Sequence, residues 1–161
     1  MAIQRYSWHL VDKIDEREAA KHWGCYDAAF QAINAKTPCR QSFREPEYLA
    51  TLGDPDFTKL VVWKTDTEDI CAGAMGTYDL NKIPWVNPEF FECRFPDLIG
   101  RLMYVPTIWV VPKDRGAGLL RVFAEGCLRL LDVRHGLAIA FDHSLTQNSL
   151  AAQGRSKHHR P

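Results

Sequence analysis

The sequence predicts a single α+β domain, a mixed and mainly antiparallel central sheet flanked by helices, and three patterns predict it. Tyr6, Trp8 and Leu10 alternate with Ser7 and His9, the period-two pattern of a strand with one buried face. Two apolar runs, residues 59–64 and 70–78, are separated only by the polar turn 65–69, which predicts an antiparallel hairpin. Farther on, an apolar run over 103–111, a glycine-bearing turn, an amphipathic stretch and a last apolar run over 137–141 succeed one another. A strand–helix–strand unit of that kind joins two parallel strands.

The remaining elements follow in order. Asp15, with Glu18 three residues on, marks a helix start, and Ala19, His22, Trp23, Tyr26, Ala29, Phe30 and Ile33 then recur at helical spacing. That helix ends before Thr37-Pro38. His22 falls on its buried face and reads as a hydrogen-bonded core histidine. A shorter helix is expected over 45–52, closed by Gly53-Asp54-Pro55. Residues 80–100, rich in proline and aromatic side chains, are too long for a plain turn and predict a short helix or a functional loop. Pro106 lies inside the most apolar strand and removes a ladder hydrogen bond, so a bulge is expected there. The following helix, expected from Gly116 to Asp132, carries an apolar stripe of Leu120, Phe123, Cys127, Leu130 and Leu131 opposite Arg121, Glu125 and Arg129. A short helix over 148–153 would complete one domain, residues 1–153. Residues 154–161, with Arg155, Lys157, His158, His159 and Arg160, read as a solvated, disordered basic tail.

Composition narrows the function. Twenty Lys+Arg balance twenty Asp+Glu in 161 residues, so no global field invites nucleic acid or a membrane surface. The N-terminus has no signal-like apolar core, and no apolar run approaches a membrane span. The five cysteines (Cys25, Cys39, Cys71, Cys93 and Cys127) are odd in number and lack C-x-x-C or Cys/His ligand spacing. That pattern predicts no disulfide framework, no metal site and a cytoplasmic location.

The most informative stretch runs from Ile108 to Leu120. An apolar strand ends in Val110-Val111-Pro112, and Arg115-Gly116-Ala117-Gly118-Leu119-Leu120 then opens a helix. The first amides of a helix lack intrahelical partners and sit at the positive end of its dipole. Glycines let an anion approach those amides, and Arg115 adds charge. A phosphate-bearing ligand is the expectation, against the plainer reading of a glycine-permitted connection with no ligand. A P-loop is disfavoured because no Lys-Ser/Thr follows the glycines. A dinucleotide fold is disfavoured because the motif comes late in the chain.

With the motif in that strand-to-helix context, the chain resembles the GNAT superfamily of N-acyltransferases. Its signature is a strand ending in V-x-P and then [RQ]-x-x-G-x-[GA] at a helix start. The resemblance implies an acetyl-CoA or longer acyl-CoA (or acyl-carrier) co-substrate, no metal, and direct attack of a small-molecule or peptide amine on the thioester. It implies a cofactor site of Trp109, Val110, Val111, Arg115, Gly116, Ala117, Gly118, Leu119, Leu120 and Asn148, with the Val111 amide holding the acyl carbonyl or pantetheine and Trp109 and Val110 lining its path. Three departures stand out. Leu120 replaces a small residue. Arg155 occupies the place of a tyrosine that protonates the leaving thiolate. The chain also ends before the family's last strands, leaving an open sheet edge that a second copy would cover. The last two departures favour the alternative, a non-catalytic module that senses acyl-CoA or binds a protein. For catalysis the candidates are Glu92 in the aromatic segment, with its neighbour Glu89, and Asp142 and His143 after the last strand; the competing reading of each is an ordinary surface group.

Overall fold

The computed structural model describes residues 5–36, 42–133 and 138–141. Their elements are β1 (Tyr6–Val11), α1 (Glu16–Lys36), α2 (Glu45–Gly53), β2 (Phe57–Lys64), β3 (Ile70–Thr77), α3 (Pro88–Arg94), β4 (Leu102–Val110), α4 (Leu119–Val133) and β5 (Ala138–Phe141). The strands form a sheet in the order β1-β2-β3-β4-β5. Pairing is antiparallel from β1 to β4 and parallel between β4 and β5, as the strand–helix–strand unit predicts.

Local chemistry accounts for the helix ends. The Asp15 carboxylate accepts the Arg17 N–H at 2.9 Å at the start of α1. Glu47 reaches back to accept the Arg44 N–H at 2.9 Å and anchors α2. In the 80–100 segment, Asn87 accepts the Glu89 N–H at 3.0 Å and begins α3, a short helix, one of the two expectations for a segment of that length.

The sheet divides the core. Val61, Gly73 and Trp109 stand opposite one another across β2, β3 and β4 and share one face. On that face Trp109 donates to the Tyr48 hydroxyl at 3.1 Å, and Tyr48 stacks on Tyr26 of α1 at 4.4 Å. The other face carries Leu60, against which α4 lies so closely that a Cβ at Gly126 would come within 2.8 Å of it. Packing of this kind, spread over a buried set from Tyr6 to Phe123, supplies the driving force.

Pro106 behaves as its chemistry requires. From Met75↔Thr107 to Thr77↔Tyr104, β3 advances two residues while β4 advances three, so the surplus residue lies at 105–106. The bulge also shifts the phase of β4: Tyr104, Thr107 and Trp109 share the face of α1 and α2.

One boundary needs correction. The helix after β4 begins at Leu119, not Gly116, because Gly116 (φ +81°) and Gly118 (φ +78°) both adopt left-handed backbone that an α-helix cannot contain. The expected helix over 148–153, the basic tail and the question of further strands fall outside the described residues. No described helix is long and apolar enough to cross a membrane.

Candidate functional site

The turn between β4 and α4 presents backbone, not side chains. Residues Pro112–Asp114 form one 3-10 turn, and the two left-handed glycines then carry the chain into α4. A Cβ at either glycine would meet nothing within 4 Å, so the space beside the turn is open. Among the described residues, nothing accepts a hydrogen bond from the amides of Gly116, Gly118 or Leu119. Unpaired amides, open space and the positive end of a 15-residue helix together make a seat for an anion.

Three tethers hold this turn, and sequence reasoning missed each of them. Asp114, only 3 % exposed, binds the Lys64 ammonium at 2.9 Å. That contact raises the Lys64 pKa above its ordinary value. The Arg115 guanidinium donates to the Ala29 carbonyl of α1. Its charge therefore stands beside the turn on an arm braced against the helix. Finally, the Val111 N–H donates to the Cys71 carbonyl at 2.9 Å.

This last bond corrects the expectation for Val111, whose amide is spent on β3. Main-chain groups alternate along a pleated strand, so the Ile108 and Val110 amides point to the opposite edge of β4. There β5 pairs only with residues 102–105, which leaves the edge at 106–110 without a described strand partner. Trp109 is corrected as well. Its ring is 4 % exposed, hydrogen-bonded to Tyr48 and laid on Gly73, where a Cβ would come within 2.6 Å of it. It is a core residue, not the wall of a ligand path. Val110 is half-buried on the other face. Ala117 is exposed in the turn and Leu119 is buried at the helix start.

At the other end of β4 the 80–100 segment encloses a pocket of about 180 Å³. Glu92 lines it from α3, together with Asp79, Tyr78, Phe91 and Leu102. Glu89 is exposed on the same helix. Nearby, Lys82 binds Asp54 at 2.7 Å and Asp56 at 2.5 Å, which ties the start of the segment to the turn before β2. Lys59 is buried beneath and donates to the carbonyls of Asp12 and Asp54, both at 2.5 Å. Burial lowers its pKa to about 8, but those two carbonyls make it a brace and not a free base. Glu92 thus stands a strand's length from the glycine turn, while Asp142, His143 and Asn148 lie outside the described residues, as does the Leu120 side chain.

His22 is buried, as its place on α1 predicts. Burial and then the nearby Lys21 lower its pKa to about 4. No cluster of three or more His, Cys, Asp or Glu suited to a metal occurs among the described residues.

No family model and no curated protein matches this sequence. Solved structures do match. A tetramutant of the BH1408 protein from Bacillus halodurans superposes with a TM-score of 0.62 at 15 % identity, over 96 % of this chain and 94 % of that one. An aminoglycoside acetyltransferase, meta-AAC0020, from an uncultured soil metagenomic sample gives 0.58 at 10 % identity, over 99 % and 91 %. The ribosomal-protein-alanine N-acetyltransferase of Brucella melitensis biovar Abortus 2308 gives 0.57 at 13 % identity, over 96 % and 92 %. With a bulged central strand, a glycine turn into a helix and a parallel strand beyond it, this chain has the GNAT fold of the N-acetyltransferases.

Proposed function

We propose that the protein is an N-acyltransferase that moves an acetyl or longer acyl group from coenzyme A to an amine. The observation that carries this reading is the row of unpaired amides at Gly116, Gly118 and Leu119, opened to solvent by two left-handed glycines at the end of the central strand. A pyrophosphate accepts hydrogen bonds from such a row without a side chain between them. The pantetheine, itself a chain of amides, would lie along the unpaired edge of β4 at 106–110. There the Val110 and Ile108 amides are the available donors in place of Val111. The thioester would then lie near the bulge, facing an amine that enters from the 80–100 end.

Chemistry at this site needs no covalent intermediate. The amine attacks the thioester carbonyl, the tetrahedral oxyanion collapses, and the thiolate leaves and takes a proton. The protein holds the reactants together and removes a proton from the ammonium. Glu92 is the described carboxylate best placed to do so, since it lines the pocket at the acceptor end. The acetyltransferases of similar fold act on aminoglycosides and on a ribosomal protein, which supports an amine acceptor without naming this one.

The test uses one position and two substitutions. Gly118→Asn and Gly118→Asp are nearly isosteric, and both residues tolerate left-handed backbone. Only the second places an anion among the amides. Titration with acetyl-CoA, a long-chain acyl-CoA and free CoA, read by calorimetry and thermal shift, should show binding to the parent and to Gly118→Asn. Gly118→Asp should bind about a hundredfold more weakly, because like charges brought together cost several kcal/mol. Equal affinities in the two folded variants would remove the site. Binding without turnover on any amine would instead point to an acyl-CoA sensor.

A further inference from the structure

We propose that the acceptor is a monoamine with an apolar body, its ammonium on Glu92 and its body against the apolar side chains of the 80–100 segment. This names the substrate class for the acyl transfer proposed above and rests on that reading. The pocket lining carries the argument. It combines two carboxylates, Asp79 and Glu92, with Phe91, Phe95, Ile99 and Leu102, and it includes no lysine, arginine or histidine. Lys82, at the start of the segment, is bound to Asp54 and Asp56 and supplies no counter-charge. A cation entering here meets negative charge with no competitor in the lining. The two carboxylates are not equivalent. Asp79 Oδ1 accepts from the Asn81 backbone N–H and from its side-chain amide, both at 3.1 Å, which commits it to the turn. Glu92 is exposed on α3. One ammonium is what this pocket seats best.

Size and exposed surface define the rest of the ligand. At about 180 Å³ the pocket is smaller than the roughly 300–1,000 Å³ of sites for drug-sized molecules, so it takes one ring or a short branched chain. Of the four large apolar side chains left exposed among the described residues, three (Phe90, Phe95 and Ile99) fall in this one segment. Phe95 and Ile99 line the pocket itself, so its apolar wall continues onto the surface. An apolar body would cover that surface, whereas a polycation of several hydroxylated rings would leave most of itself over it and gain nothing. Phe91 meets Tyr104 edge-on at 6.1 Å, one residue before the bulge, which ties the pocket to the part of β4 where the thioester would lie. There the C–N bond forms as the C–S bond breaks, Glu92 takes the amine proton, and the thiolate takes a proton as it leaves.

The experiment measures binding and transfer separately on the full chain. Calorimetry in the presence of CoA follows phenethylamine and 2-phenylethanol, which keeps the ring and removes the charge. Acetyl transfer from acetyl-CoA is compared for phenethylamine, spermidine and kanamycin. Phenethylamine should bind about tenfold more tightly than 2-phenylethanol, and Glu92→Gln should erase that difference. Its kcat/KM should exceed those of spermidine and kanamycin by at least about tenfold, and Ile99→Ser should shrink that preference. Both substitutions are at exposed positions, so the fold is kept. Transfer to spermidine or kanamycin as efficient as to phenethylamine overturns this inference and leaves the acyl-transfer reading standing. So does transfer without saturable phenethylamine binding, or a preference unchanged in both variants. Phenethylamine binding that Glu92→Gln weakens, with no transfer to any amine, would instead remove the acyl-transfer reading and leave an apolar-amine site.

Discussion

At its C-terminal end β4 runs into a turn tied down by Lys64–Asp114, by Arg115 on the Ala29 carbonyl and by Val111 on β3. At its N-terminal end it emerges from residues 88–100, where Phe90 and Ile99 are each 60 % exposed and α3 is only seven residues long. The first region offers main-chain amides whose directions are set by backbone angles. The second offers side chains on a lightly packed loop. In the proposed reaction the first would hold the acyl donor, which is the same molecule in every turnover. The second would hold the acceptor, whose recognition depends on side-chain shape and charge. Rigidity at one end and looseness at the other therefore match what each ligand asks of the protein.

The sharpest way to test this division is to remove chemistry from the loose end alone. Glu92→Gln should lower kcat about a hundredfold, the usual scale for losing a general base, while acetyl-CoA affinity stays at the parent level. A loss of acetyl-CoA binding in that variant would break the separation of the two ends.

Acid should act at neither end but on α1, where His22 is buried. Below pH 6.5 the unfolded chain takes up a proton on His22 that the native state refuses until about pH 4. Stability contributed by this residue is full above pH 6.5, falls as pH is lowered through that window, and levels off below it. The total loss is on the order of 3 kcal/mol. Denaturant unfolding of the parent and of His22→Phe between pH 7 and 4 measures it, and the variant should lack this component of the slope.

Smaller effects distinguish packing from capping. Gly73→Ala places a methyl against the Trp109 ring and should cost about 1–3 kcal/mol by overpacking, with the Trp109–Tyr48 bond disturbed. Asn87→Ala removes the cap of α3 and should cost about 1 kcal/mol or less, read as faster amide exchange over 88–94 with no change over 107–111. Equal acceleration in both segments would show the two ends to be one cooperative unit.

Much of the glycine turn was legible because its signals are local. Gly116 and Gly118 sit where only left-handed backbone closes the turn, and Pro106 forces the bulge, so residue type alone points to both. The 80–100 segment was less legible. Proline and aromatic content in residues 80–100 announces a short helix, but nothing in their spacing says that Glu92 and Leu102 share a pocket. Burial misled in two places. Trp109 looked like a ligand wall because it adjoins the motif, yet pleating turns it into the core. Val111 looked like a free donor, yet strand alternation directs its amide to Cys71.

By itself the sequence determined the order of strands and helices, the hairpin, the parallel return and the glycine turn. Those follow from hydrophobic period and from the φ preferences of single residues, which act over a few positions. Only the tertiary structure decided what each polar group meets. Arg115 meets a carbonyl 86 residues away, Asp114 is buried against a lysine on β2, and His22 is enclosed between α1 and the sheet. Partnership and burial depend on which distant segments arrive at the same place, and no short window of sequence contains that information.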